Sequence, residues 1–264
     1  MDIFESIVLG IVQGLTEFLP ISSSAHLVLT EHLLKVQLES IRFEVFLHLG
    51  TFFSVVVIFR KEIWKLIKSL KRIFKKDDSE SEEYLKLLSL LLIGTVPATV
   101  LGLSFGEYVE KAFSSPAVAS SMLILTGIFL WLTQFTRSKK DKLNFGDAIL
   151  VGLAQAFALL PGISRAGFTI STALFRGVSG KKSAEFSFLL SLPAILGASV
   201  LKFKETLDEN PNSGEIFLYL IGGLVAFAFG YMAIKFLLDL LRKGKFQNFA
   251  YYCLSVGILS LIFL

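Results

Sequence analysis

The sequence predicts an all-α integral membrane protein, with six transmembrane helices plus two re-entrant helical hairpins in an inverted-topology repeat. Three observations lead there. Of the 264 residues 53% are hydrophobic and only 18% charged, against about 25% charged in an ordinary soluble domain, and mean hydropathy is +0.68. Apolar runs at 43–59, 85–105, 117–135, 186–201, 216–238 and 249–264 approach or reach the ~17–25 residues that a bilayer-spanning helix requires. Two further apolar segments, 2–34 and 147–176, are each interrupted in the middle by proline and serine, the pattern of a helix that stops inside the membrane and turns back.

The chain opens Met1-Asp2-Ile3-Phe4-Glu5, acidic where a secretory signal would be basic, so no cleaved leader is expected. The first hairpin occupies 2–34, its arms parted at Pro20 and Ser22-Ser23-Ser24. Run 43–59 then crosses to Arg60, Lys61, Lys65, Lys68, Lys71, Arg72, Lys75 and Lys76, followed by an acidic patch at 77–83. A connection so basic belongs on the cytoplasmic side. Run 85–105 crosses outward past Pro97 to a short link at 107–115, and run 117–135 returns to Arg137, Lys139, Lys140 and Lys142. The second hairpin, 147–176, breaks at Pro161-Gly162 and Ser164-Arg165, and basic residues flank both its ends, so it enters from the cytoplasm. Run 186–201 leads outward to 202–215, where acids outnumber lysines; 216–238 comes back to Arg242, Lys243 and Lys245; and 249–264 leaves the C-terminus outside. One orientation satisfies the charge bias of every connection.

The whole reads as a single membrane domain, 1–264, built from repeat one at 1–135 and repeat two at 144–264, each a hairpin plus three spans. A shift of 142 residues sets Gly10 on Gly152, Gln13 on Gln155, Ile21 on Ile163 and Ser22 on Ser164. Three spans per copy is an odd number, so the second copy is inverted, and inverted repeats usually hold a site near the midplane where the broken helices meet. The copies differ where chemistry is at stake, because Glu17, Ser23 and His26 stand opposite Leu159, Arg165 and Phe168. One hairpin brings a carboxylate, a hydroxyl and an imidazole; the other brings a permanent cation. The net charge of +4 follows from the basic connections rather than from a nucleic-acid surface. With Cys253 the only cysteine, neither an intrachain disulfide nor a cysteine metal cluster can form.

On a helix Gly10, Gln13, Gly14 and Glu17 share one face. An ionisable group at membrane depth marks a functional site, although glycines on such a face also suit close helix packing. Beyond Pro20 the serines can cap a second arm whose free N–H groups favour an anion, with His26 one turn after Ser22. Pro161-Gly162-Ile163-Ser164-Arg165 repeats that arrangement, with Thr169 one turn after Arg165. Two helix N-termini, a guanidinium and several hydroxyls together make a phosphate or diphosphate site. Ser24 alone is expected to bond back to its own helix, and His32 and His48 are assigned to packing or interfacial hydrogen bonds.

The stretches QGLTEFLP from Gln13 to Pro20, SSSAH from Ser22 to His26 and PGISRAGFT from Pro161 to Thr169 closely resemble the signatures of the undecaprenyl-diphosphate phosphatase family, also called the bacitracin-resistance family. The resemblance extends over the whole chain in length, span order and motif position. It implies a multi-pass enzyme of the bacterial plasma (inner) membrane that removes the terminal phosphate of undecaprenyl diphosphate. The products would be phosphate and undecaprenyl phosphate, the recycled lipid carrier of cell-wall synthesis. A divalent cation, Mg²⁺ or Ca²⁺, and a site opening to the extracytoplasmic side are implied too. Bacitracin would compete for the substrate, not bind the protein, and the resemblance is compatible with a homodimer.

Carried over by motif, Glu17, Ser23, His26 and Arg165 are the catalytic candidates, and Glu17 is the metal candidate. Ser22, Gly162, Ser164, Arg165 and Thr169 would bind the substrate phosphates, with Gln13 in support. The family pattern allows Glu or Gln at position 13; Gln here leaves one carboxylate, which weakens any scheme needing two acids around a metal. Arg165 and the Ser164 region would hold the diphosphate, Ser23 would attack or position a water, and His26 would exchange the proton. Ser23, His26 and water all stay open as the nucleophile at this point. The rival is a flippase or transporter of a prenyl phosphate or other anionic lipid, since broken helices in inverted repeats also build transporters. A receptor for an anionic lipid would need the phosphate cradle without Glu17 and His26.

Overall fold

The computed structural model describes residues 1–34, 41–71, 79–113, 115–205 and 212–263, all-helical with no strand among them. Arg72, Lys75, Lys76 and Asp77 of the first basic connection, 206–211 of the acidic link and the side chain of His32 lie outside the described residues. Helix α1 (Ile3–Phe18) starts at a capping box in which Asp2 Oδ1 accepts from the Glu5 amide at 2.8 Å and Glu5 Oε2 accepts from the Asp2 amide at 2.7 Å. It stops before Pro20, which has no N–H to continue a helix, and α2 (Ser23–Leu34) follows.

Between them and the second broken segment lie α3 (Ile41–Ile58), α4 (Arg60–Lys71), α5 (Ser79–Phe113) and α6 (Pro116–Leu132). Then α7 (Phe145–Phe157), started by an Asn144–Asp147 capping box, and α8 (Arg165–Phe175) repeat the broken pattern. The four helices of the two broken segments have 16, 12, 13 and 11 residues. At ~1.5 Å per residue the longest is about 24 Å, short of a ~30 Å hydrocarbon core. The ends of the second segment lie side by side: buried Asp147, at the start of α7, pairs with Arg176 Nε at 2.9 Å just past α8, and with Lys140 Nζ at 2.5 Å.

The chain ends with α9 (Gly180–Glu205), α10 (Ser213–Arg242) and α11 (Phe249–Phe263). Among the described residues, five helices are long and apolar enough to cross a membrane, or six if α3 and α4, bent by 79° at Phe59, are taken as one span. Leu92, Val96, Val100 and Leu103 leave the outer face of α5 apolar and exposed, as lipid contact requires. The chain is therefore a multi-pass membrane protein.

Helix α4 occupies a stretch that the apolar runs leave as a connection. Its Leu66 and Ser69 edge is buried, whereas Trp64, Ile67 and Leu70 are exposed beside Lys61, Lys65 and Lys68. That distribution suits a helix lying along a membrane surface, and its density of cations hides it from a search for apolar spans.

Helix α1 packs on α10, and α7 packs on α5, so the first arm of each broken segment rests on the second long helix of the other half. Glycine makes both contacts possible. A Cβ on Gly10 would lie 2.7 Å from the Gly222 carbonyl oxygen, and one on Gly152 would lie 2.4 Å from that of Gly94. Because the obstacle is backbone, Gly152→Val must push α7 off α5, and a destabilisation of about 1–3 kcal/mol is expected for such overpacking. A lowered melting temperature of the purified protein in detergent checks it; an unchanged one would show that the helices part freely there.

The two breaks dock on α6 and α11, which pack along each other. Thr126 Oγ1 of α6 donates to the Gly162 carbonyl at 2.9 Å and accepts from the Ser164 amide at 3.1 Å. Cys253 of α11 donates through Sγ to the Pro20 carbonyl at 3.4 Å.

Candidate active site

The breaks bring the candidate residues of both segments to one place. Gln13 and Glu17, one turn apart on α1, are both buried. Glu17 Oε2 accepts from Ser23 Oγ at 2.7 Å and from Gln13 Nε2 at 3.2 Å, while its Oε1 accepts from Arg165 Nη2 at 2.5 Å. One carboxylate thus holds the serine that opens α2 and the arginine that opens α8. Arg165 is 14% exposed and Glu17 8%, so the pair is largely shielded from water, and an ion pair so placed persists only with good geometry and further hydrogen bonds.

Each second arm begins on a serine cap. Ser22 Oγ accepts from the Ala25 amide at 3.3 Å, and Ser164 Oγ accepts from the Gly167 amide at 3.0 Å. The remaining free amides of the first turns give both N-termini an affinity for anions. The backbone reverses at Ser22 (φ 67°) and Gly162 (φ 92°). Glycine enters that region freely, whereas serine is strained there by about 1–3 kcal/mol, a strain found where the surroundings over-determine the conformation. A Cβ on Gly162 would also meet the Ala119 carbonyl at 2.1 Å.

Three residues singled out in the sequence make contacts that their local spacing does not disclose. His26 Nδ1 bonds the Ser22 carbonyl and Nε2 bonds Tyr252 Oη, both at 2.8 Å, and its ring stacks on Tyr252. Both nitrogens are thereby engaged away from Ser23 and Glu17. Thr169 donates to the Arg165 carbonyl or shares a proton with Ser187 at 2.6 Å, which holds α8 to α9. Ser24 does not bond back to its helix; its Oγ accepts from the Gly162 amide at 3.3 Å and lies 3.1 Å from Ser22 Oγ, joining the two breaks.

Other members of the site carried no motif. His48 reaches it from α3, its Nδ1 3.1 Å from Gln13 Nε2. Its neighbour in sequence, Glu44, pairs instead with Lys202 of α9 at 2.7 Å, so the local Glu44–His48 spacing pointed away from the site. Thr126 and Tyr252 sit in spans whose apolar pattern gives no local reason to single them out. Among the described residues, Gln13 Oε1 and Arg165 Nη1 are buried with no hydrogen-bond partner. Buried polar atoms are seldom left so, and an acceptor and a cationic donor beside one carboxylate suit a ligand carrying both metal and phosphate.

No group of three or more His, Cys, Asp or Glu side chains capable of holding a metal occurs among the described residues. The oxygen donors on the side chains gathered at Glu17 are its own carboxylate, the Ser23 hydroxyl and the Gln13 amide oxygen, the last belonging to an amide whose nitrogen faces the carboxylate. They are hard oxygen ligands, and Mg²⁺ commonly takes one or two carboxylates with substrate phosphates supplying the rest. The residues present therefore fit such an ion when a diphosphate accompanies it.

Comparison with known proteins agrees in extent as well as in motif. The family model described as bacitracin resistance protein BacA matches residues 6–259. A protein of Desulforapulum autotrophicum named undecaprenyl-diphosphatase is 40% identical over 273 residues, covering 99% of this chain and 98% of its own. Proteins with the same name from Carboxydothermus hydrogenoformans and Korarchaeum cryptofilum are each 42% identical, covering 99% and 98% of this chain and 97% and 98% of their own. A match of that identity over nearly the full length, with the motif residues gathered on one carboxylate, places this chain in the BacA family of bacitracin resistance proteins.

Proposed function

We propose that this protein is an undecaprenyl-diphosphate phosphatase, hydrolysing the terminal phosphate of undecaprenyl diphosphate to undecaprenyl phosphate and phosphate. The observation that carries the chemistry is Glu17 bonded at once to Ser23 Oγ and to Arg165 Nη2. A base, a nucleophile and a phosphate-binding cation need to stand within one bond of each other for such a transfer.

Glu17 takes the Ser23 proton as Oγ attacks the terminal phosphorus. The bond from that phosphorus to the bridging oxygen breaks, and its electron pair leaves on the lipid phosphate. Arg165, through the Nη1 that has no partner among the described residues, and the first-turn amides of α2 and α8 bind the equatorial oxygens as charge builds. Glu17 passes the Ser23 proton to the departing lipid phosphate; water then attacks the phosphoserine with Glu17 again as base, and the proton it takes is returned to Ser23 Oγ as the phosphorus–Oγ bond breaks and phosphate leaves. A divalent cation, Mg²⁺ or Ca²⁺, held by Glu17, Gln13 Oε1 and phosphate oxygens, would neutralise charge on the diphosphate. His26 steadies the Ser22 turn through its bond to the carbonyl there.

The architecture belongs to the same proposal: six spans plus two re-entrant hairpins in an inverted repeat, in the bacterial inner membrane, with the site opening outward. Short arms, the Asp147–Arg176 closure and the reciprocal α1–α10 and α7–α5 contacts support it. The test is phosphate release from a prenyl diphosphate by the purified protein in detergent, where no second compartment exists. Release with Mg²⁺ or Ca²⁺ is expected; silence with both ions across a range of pH would overturn the hydrolase and favour lipid transport.

A further inference from the structure

Gln13 is buried on α1 one turn before Glu17, and its surroundings give its amide one orientation. Two atoms face the same nitrogen: the acceptor Glu17 Oε2 at 3.2 Å and His48 Nδ1 at 3.1 Å. A carboxylate can only accept, and the amide nitrogen can only donate, through two hydrogens. One hydrogen therefore goes to Glu17, and the other satisfies His48 Nδ1 in the tautomer that holds its proton on Nε2. Turned over, the amide would set oxygen against the Glu17 oxygen 3.2 Å away. The bond to Glu17 is long, so a second partner for the amide group tightens the choice. The consequence falls on the other end of the side chain, where Oε1 is buried and without a partner among the described residues, in a residue that is 0% exposed.

We propose that His48 is a positioning residue: by accepting the second amide hydrogen of Gln13 it aims Gln13 Oε1 as an oxygen ligand at the divalent cation that accompanies the diphosphate. This rests on the hydrolase proposed above. An amide oxygen is an ordinary ligand for Mg²⁺ or Ca²⁺, but unlike a carboxylate it has only one useful orientation, and partners one bond removed from a ligand normally set it. A chain with Gln at position 13 then needs a fixed acceptor behind that side chain; one with Glu there does not, because both its oxygens can ligate.

The experiment compares wild type with His48→Leu, His48→Gln, Gln13→Glu and the Gln13→Glu/His48→Leu double variant. Two quantities are read: phosphate release with Mg²⁺, and the Mg²⁺ concentration that half-saturates the rise in melting temperature in the presence of inorganic diphosphate. His48→Leu is expected to lower kcat/KM and weaken the Mg²⁺ response by about 10–100-fold, the usual effect of losing a partner behind a metal ligand. His48→Gln, whose amide oxygen can accept the same hydrogen, should restore both to within roughly threefold. In the Gln13→Glu background, His48→Leu should cost less than about threefold, since orientation no longer matters. An equal loss in both backgrounds, or a His48→Gln variant as poor as His48→Leu, would overturn the positioning role. Wild type that releases no phosphate would instead refute the hydrolase, and the Mg²⁺ response would still decide whether His48 orients Gln13.

Discussion

Glu17→Gln is expected to lower kcat for phosphate release by about 10³-fold, within the 10²–10⁴ that a positioned general base contributes. The substituted amide is nearly isosteric with the carboxylate and can still accept from Arg165, so the fold of the site should survive. What it cannot do is take a proton from Ser23, whose Oγ lies 2.7 Å from Oε2. Loss of the negative charge also leaves Arg165 shielded beside a neutral group, and breaking a buried pair costs at most about 3–5 kcal/mol. A lowered melting temperature should therefore accompany the lost turnover. The sharper check is a double variant. If Glu17 and Ser23 act as one unit, Glu17→Gln/Ser23→Ala should be no slower than the worse single variant, because removing a member of a unit already removes its function. Losses that multiply would sink the direct Ser23–Glu17 proton transfer and point to independent roles.

How much of this site the sequence discloses depends on whether a residue's importance is written locally. Glu17, Ser23 and Arg165 are conspicuous because charge and hydroxyl inside apolar segments are costly, and the 142-residue offset aligns the segments that carry them. Their meeting in space follows from the pairing of the two breaks. His48 and Thr126 are different. Neither is marked out along its own helix, and each becomes part of the site only because α3 docks beside α1, or α6 beside the second break, information that resides in long-range packing. The same holds for the partition of the imidazoles: one turn after Ser22, His26 reads as the base, yet its ring turns toward Tyr252 on a helix 226 residues away. Helix α4 is missed for a simpler reason, since its alternation of lysine with Trp64, Ile67 and Leu70 has too little continuous apolar length to register as a span.

Arg165→Lys should lose about 10²–10³ in kcat, the scale found on removing one preorganised donor to a developing oxyanion, or about 2.7–4 kcal/mol of transition-state stabilisation. The charge is conserved, so any loss must come from geometry. Arg165 uses Nη2 for Glu17 at 2.5 Å and keeps Nη1 buried and, among the described residues, unpartnered. A guanidinium can therefore bind the carboxylate with one nitrogen and a phosphate oxygen with the other, in one plane and at a fixed spacing. An ammonium is a single centre: if it stays with Glu17 it releases the phosphate, and if it reaches the phosphate it leaves Glu17 without its partner. Because α8 starts at Arg165, capped by Ser164 and tied to α6 through Thr126, the backbone has little freedom to move a shorter reach into place. The loss should appear in kcat more than in KM, since binding of the ground-state diphosphate is shared with two helix N-termini, whereas the charge that develops on bond breaking faces the fork. Near-normal turnover by Arg165→Lys would mean that a point charge suffices, and the bidentate bridge between Glu17 and the phosphate would then have to be abandoned.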